Sequence, residues 1–188
     1  MNILRLAFAG TLFLATATSA VVAKAADFIT IQLKDGSVVI ELNDKAPKHA
    51  ERIKQLAAAG EYDNVAFHRV IEGFMAQTGD VQYGDMEDGY QPQAAGTGGS
   101  SLPDLPAEFS DVPFERGTVG MARAQDPNSA NSQFFIMFAP GDFLNGQYTV
   151  VGKVVSGMEN VDKIKRGDDA NNGAVTDPDR MIKVTVGK

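Results

Sequence analysis

The sequence predicts a mainly β domain, a closed barrel or a sandwich, with about eight strands and two isolated helices. Two observations carry this. Short β-branched and aromatic runs recur along nearly the whole chain, separated by Gly, Pro, Asn and Asp. Helical periodicity appears in only two places, so the helices can flank a sheet but cannot form layers of their own.

The elements follow in order. Phe28 to Leu33 (FITIQL) and Val38 to Leu42 (VVIEL) are joined by Lys34-Asp35-Gly36-Ser37, and Asp-Gly between two such runs signals a hairpin. From Pro47 to Ala59 the period changes. Ala50, Ile53, Leu56 and Ala57 recur at helical spacing, with Asp44 placed to cap the start and Gly60 to stop the helix. Val65 to Ile71 and Phe74 to Thr78 are the next strands, broken at Glu72-Gly73. From Gly79 to Gly117 the chain is rich in Gly, Pro, Asp and Ser, and a loop of that length in a compact domain is expected to serve function. Strands resume at Gly117 to Ala124, Gln133 to Phe138 and Tyr148 to Val155. A second helix is expected from Met158 to Lys165, and a last strand from Met181 to Val186.

The chain has 188 residues, no cysteine and a formal charge of −7. Its first 25 residues read as a secretory signal: Arg5 supplies positive charge, Leu6 to Ala15 a short apolar stretch, and Ala23-Lys24-Ala25 a small-x-small cleavage pattern. The expected mature domain therefore spans 26–188. With Arg5 and Lys24 removed and no acid lost, its charge falls from −7 to −9. That balance argues against nucleic-acid binding, which depends on neutralising phosphates. No later stretch is apolar enough to span a bilayer, so no stable membrane insertion is expected after cleavage. An exported protein without cysteine relies on core packing rather than disulfides.

Candidate chemistry concentrates in FHRVIEGFMAQTGD, residues 67 to 80. Strand alternation puts Phe67, Arg69 and Ile71 on one side with His68 and Val70 opposite, and Met75 and Gln77 on one side with Phe74 and Ala76 opposite. An Arg in so apolar a strand needs a carboxylate partner or a place at a pocket rim. Gln133-Phe134-Phe135-Ile136-Met137-Phe138 adds aromatics and a second Gln, which tilts the balance towards a pocket. His49 reads as a solvated residue on the polar side of the first helix, and His68 as a core histidine hydrogen-bonded to the backbone. No Gly-x-Ser-x-Gly elbow accompanies the serines, so a hydrolase lacks its nucleophile. Asp168 to Asp179 imitates a calcium loop but carries Ala170 at the third ligand position and Asp179 where a bidentate Glu belongs. Gly96-Thr97-Gly98-Gly99-Ser100 lacks the Lys of a phosphate cradle and reads as a flexible turn beside a site.

Together these segments resemble the cyclophilin family of peptidyl-prolyl cis-trans isomerases. FHRVIEGFMAQTGD is similar to the family's FHRxIxGFMxQgGD signature. GTVGMARAQDPNSANSQFFI (117–136) and FLNGQYTVVGKVVSGM (143–158) are similar to its second and third signatures, and the likeness covers Phe28 to Val186. The resemblance, to exported bacterial members, implies a closed eight-stranded antiparallel barrel capped by two α-helices. It implies Arg69 as the catalytic arginine and Gln77 as the group that hydrogen-bonds the substrate backbone. Phe74, Met75, Phe135 and Leu144 become walls of a proline pocket, and Ala122, Arg123, Ala124 and Gln133 line the groove, with the backbone at 123 holding the peptide.

Departures from the family pattern are specific. Phe143 stands where many members have Trp, which argues against tight cyclosporin binding, and Tyr148 replaces a pocket His. Arg123 replaces a frequent Asn, while Glu72 and Thr78 replace Pro and Gly. Rotation about an X-Pro bond breaks no covalent bond, so neither nucleophile nor cofactor is implied. The expected substrates are proline-containing peptides and unfolded exported proteins, met in the periplasm or after secretion by a monomer. A chaperone of the same fold that grips proline segments without turnover is the alternative.

Overall fold

The computed structural model describes residues 27–187, so the expected signal segment and its cleavage point lie outside the described residues. Eight strands form one antiparallel sheet: β1 (Phe28–Leu33), β2 (Gly36–Leu42), β3 (Arg69–Ile71), β4 (Met75–Thr78), β5 (Thr118–Met121), β6 (Phe134–Met137), β7 (Val150–Ser156) and β8 (Lys183–Gly187). Their order is β3-β4-β6-β5-β7-β2-β1-β8. Two α-helices accompany them, α1 (Pro47–Ala59) and α2 (Met158–Val161).

The expected closed barrel is corrected to an open half-barrel, because β3 and β8 end the sheet and do not pair with each other. The reason is local. The run from Val65 to Phe67, expected as strand, is irregular, and β3 begins only at Arg69. Single bonds span the gap instead, from Asn64 N to Met181 O at 2.6 Å, Met181 N to Val65 O at 2.9 Å and Phe67 N to Asp179 O at 2.8 Å.

The hairpin pairs Leu33 with Gly36 across a two-residue loop. Helix α1 has the expected bounds and ends on Gly60, whose φ of 78° is the left-handed geometry that suits glycine. Its start differs from expectation: Ala46, not Asp44, is the N-cap and offers no side-chain acceptor. Glu108, 59 residues on from His49, takes that place. Its carboxylate accepts the backbone N–H groups of Lys48 and His49 at 3.0 and 3.1 Å, and the ring Nδ1 of His49 at 2.7 Å. His49 is therefore fully buried rather than solvated. Helix α2 is shorter than expected, since regular helix stops at Val161.

Alternation gives the sheet two apolar layers. Inside the half-barrel, Ile29, Ile31, Val38, Ile40, Val70, Ala76, Val119, Met121, Phe134, Ile136 and Val151 pack with Ile53 and Leu56 of α1 and Val161 of α2. Outside it, Met75, Phe114, Phe135, Met137, Leu144 and Val150 form a second, smaller cluster, with Ile71, Phe74, Ala122 and Tyr148 packed against it. Two face assignments change here. Phe67 belongs to the inner layer, because regular alternation starts only at Arg69, and Phe74 belongs to the outer one, because it lies in the turn before β4.

Candidate active site

Strand register builds the site. Arg69 of β3 stands opposite Gln77 of β4, Gln77 opposite Phe135 of β6, and Phe135 opposite Gly120 of β5. These residues make one row across four strands on the outer face. The next row runs Ile71, Met75, Met137. Gly120 gives the row its depth: a Cβ there would come within 2.4 Å of Phe135 and 2.6 Å of Phe114, so only glycine lets both rings lie flat against the sheet. Phe114 and Phe135 stack, with centroids 5.8 Å apart, and Tyr148 meets the edge of Phe135 at 6.0 Å. Phe74 and Phe143 form a second aromatic pair at 5.6 Å, Phe143 being 66% exposed and Leu144 buried beside them.

The polar groups form a chain along the rim. Arg69 Nη1 donates to Gln77 Oε1 at 3.2 Å, Gln77 Nε2 to Gln133 Oε1 at 2.9 Å, and Gln133 Nε2 to the carbonyl of Gly98 at 2.8 Å. The amide orientations of both glutamines are thereby fixed in series. On its other side Arg69 donates from Nε to the Asn172 carbonyl at 3.0 Å and from Nη2 to its side-chain oxygen at 2.9 Å. These bonds use three of the five guanidinium N–H groups, all to neutral oxygens, leaving one on each Nη. Of the two readings open for Arg69, carboxylate partner or pocket rim, the geometry fits the second. The guanidinium is half-buried, and burial lowers its pKa with the neighbouring Tyr148 opposing, yet an Arg remains charged throughout the useful pH range.

Ala122, Arg123 and Ala124 continue β5 past Met121 as an irregular groove edge. Ala122 N bonds the carbonyl of Gln133 and Ala124 N the hydroxyl of Ser129, each at 2.9 Å. The N–H and C=O of Arg123 between them have no partner among the described residues. Its side chain folds back over Tyr148, with the guanidinium carbon 4.4 Å from the ring centroid.

Every residue the sequence singled out thus lies on one face, around the Phe135 ring or along its rim. Three others come from distant segments. Asn172, considered only as part of a failed calcium loop, clamps Arg69; it sits at φ 53°, a left-handed position that Asn tolerates. Phe114 supports Phe135 from below. Gly98 anchors Gln133, and the Gly-rich turn is itself held by Asp80, whose buried carboxylate accepts the N–H groups of Gln82, Tyr83, Gly96 and Gly98. His68 is buried as expected; neither ring nitrogen makes a hydrogen bond of good geometry among the described residues, and the backbone of Ala66 is the group that acts on the ring as the expected backbone partner. A cleft of about 560 Å³ lies elsewhere, between β2, α1 and β7; its Lys54 is already paired with Asp27 and Glu51, and it holds none of the row's groups.

Comparison with known proteins agrees with this geometry. Residues 28–186 match the family model for cyclophilin type peptidyl-prolyl cis-trans isomerase/CLD. A probable peptidyl-prolyl cis-trans isomerase of Brucella suis is 61% identical over 99% of this chain and 97% of its own. A peptidyl-prolyl cis-trans isomerase-like 1 of Emericella nidulans is 35% identical over 84% of this chain and 93% of its own. The crystal structure of a cyclophilin type isomerase from Cryptosporidium parvum superposes with a TM-score of 0.73 at 27% identity, covering 87% of this chain and 98% of that one. A second structure of that protein, in the presence of the dipeptide Ala-Pro, gives 0.72 at 28% identity, over 86% and 99% of the two chains. With the family model matched across 28–186 and a relative 61% identical over nearly the whole length of both chains, and with an outer-face aromatic cluster rimmed by Arg69, Gln77 and Gln133, this chain belongs to the cyclophilin-type peptidyl-prolyl cis-trans isomerases.

Proposed function

We propose that this isomerase acts on X-Pro bonds in proteins that have been exported, in the periplasm or after secretion, and that Arg69 is its catalytic residue. That the Cryptosporidium relative was crystallised in the presence of the dipeptide Ala-Pro supports a proline-containing peptide as the ligand here. Export is supported by the signal-like first 25 residues. The observation that carries the catalytic assignment is the lateral row of Arg69, Gln77 and Phe135.

The chemistry needs little more than that row. The peptide bond owes its barrier of about 18–20 kcal/mol to amide resonance, and rotation unaided takes tens to hundreds of seconds. As the bond twists, resonance is lost, and the proline nitrogen becomes pyramidal and gains a basic lone pair. A donor aimed at that nitrogen binds the twisted state more strongly than either planar isomer, and so lowers the barrier. Arg69 has free N–H groups for this, and Asn172 and Gln77 hold its plane fixed. Phe135, Met75 and Leu144 take the proline ring. Gln77 holds the backbone, and the open N–H and C=O of Arg123 pair with the extended chain, so that rotation is confined to the X-Pro bond.

Turnover of a proline peptide should be rapid for the wild-type chain, and Arg69→Lys should lower kcat/KM about 10-fold to 100-fold, because an ammonium cannot reproduce the planar fork. Binding of the peptide without turnover would select the chaperone reading instead. Fractionation of cells producing the full chain should find it outside the cytoplasm and shortened by about 25 residues; an uncut cytoplasmic chain would remove the export assignment.

A further inference from the structure

We propose that Arg123 gives the groove a charge preference, favouring Asp or Glu within two residues of the proline and disfavouring Lys or Arg there. This rests on the isomerase reading of the Phe135 pocket. The guanidinium of Arg123 lies one aromatic ring from the pocket floor: 4.4 Å from the centroid of Tyr148, whose ring in turn meets Phe135 at 6.0 Å. It is held in place rather than free to sweep. Nη1 donates to the carbonyls of Ala124 at 2.8 Å and Gln125 at 3.2 Å, and Nη2 and Nε donate to that of Gln147 at 3.0 and 3.4 Å.

All these acceptors are neutral, so the charge is oriented but not compensated. Arg116, Arg166 and Arg180 each meet an acid, Asp162, Glu72 and Glu87 respectively, whereas Arg123, like the buried Arg52 and the rim residue Arg69, has only neutral acceptors among the described residues. In a chain of net charge −7, the groove therefore carries two arginines without an acid partner, Arg69 at the rim and Arg123 at the edge. Its position relative to the peptide follows from its own backbone. The N–H and C=O of Arg123 are open to an extended peptide, and a residue paired directly opposite has its Cβ about 4.5–5.5 Å away. An acidic side chain there reaches the fork, whereas a basic one meets like charge at the same range. Arg69, whose partners are also neutral, adds to the same field.

The test is a set of proline peptides identical except for Glu, Gln or Lys at each of the two positions before and after the proline, assayed for isomerisation at low ionic strength. At one or more positions the Glu peptide should exceed the Lys peptide in kcat/KM by about threefold to tenfold, the range of an oppositely charged pair set against a like one at a partly exposed rim. The contrast should shrink in about 1 M salt, where screening acts within about 3 Å. Arg123→Gln should bring the ratio close to one and Arg123→Glu should invert it. Equal rates for Glu and Lys peptides at all four positions in the wild type would overturn the proposal. So would a ratio that survives Arg123→Gln unchanged, which would assign the preference to Arg69. The Gln peptides separate the two readings: their normal turnover with no charge preference sinks this proposal alone, and no turnover at all sinks both.

Discussion

Phe134 and Phe135 are adjacent in sequence and nearly equal in burial, 1% and 5% exposed, yet they do different work. Phe134 points into the half-barrel and meets Tyr62 edge-on at 5.6 Å. Phe135 points outward into a small aromatic layer with a cation and two amides along its edge. The same alternation runs through Ala76 and Gln77 and through Val119 and Gly120. One face of a four-strand patch supplies stability, and the other supplies a rigid platform whose polar rim is anchored from Asn172 and Gly98. Burial alone does not separate core from site here. The company a buried ring keeps does.

The largest effect on stability is expected at Phe134. Phe134→Ala should cost about 3–5 kcal/mol of unfolding free energy, as other buried Phe truncations do, read from urea unfolding. The molecules that remain folded should keep kcat/KM within about threefold, because the outer row is untouched.

The two histidines extend the contrast to pH. Burial pushes His68 down to about 4, with Asp80 opposing and Arg69 assisting. His49 is lowered by burial too, although Glu108 works the other way. On Glu108 burial acts upwards, but its bonds from His49 and Lys48 outweigh it and leave the carboxyl lowered, which suits an ionised acid accepting from a neutral imidazole. A His with a lowered folded pKa is protonated first in the unfolded chain. Its contribution is therefore complete above the unfolded value of about 6.5 and is lost as pH falls towards the folded one. Stability should decline between about pH 6.5 and pH 4, His68 accounting for roughly 3 kcal/mol of the loss. Urea midpoints across that range should show it, and His68→Gln should flatten the slope by about one proton. A midpoint independent of pH would contradict the burial of both rings as neutral groups.

Gly120→Ala perturbs the outer face. The new methyl overlaps Phe135 and Phe114, so the rings must shift, at a cost of about 1–3 kcal/mol for an overpacked site. Peptide KM should rise more than stability falls, and equal wild-type affinity would show that the floor of the pocket lies elsewhere.

Much of this was legible locally. Helix α1 could be bounded from Pro47 to Gly60 because the apolar spacing and the stop signal lie within the helix itself. The outer row could be anticipated at Met75 and Gln77 because alternation in a regular strand is a local rule. Where local rules failed, the cause was distant in sequence. His49 reads as polar surface on its own helix, and only Glu108 from the long loop explains its burial. Asn172 and Phe114 complete the site from segments with no pattern of their own. Val65 to Phe67 was expected as strand from its composition, but those residues spend their backbone bonds on Gly84, Asp179 and Met181 in single contacts rather than a ladder, so the expected barrel stays open. The likeness of three long segments to one family pointed to Ala122, Arg123, Ala124 and Leu144, which no local pattern singles out.

Isomerisation is expected to depend most directly on Arg69. Isomerisation of a proline peptide by Arg69→Ala should be measured per folded molecule, with the folded fraction taken from urea unfolding of the same preparation. Loss of a positioned donor to the developing charge predicts a fall in kcat/KM of about 10²-fold to 10³-fold, with the unfolding free energy within about 1 kcal/mol of wild type, since a half-exposed side chain on the outer face is removed. Activity within threefold of wild type in the folded variant would contradict it.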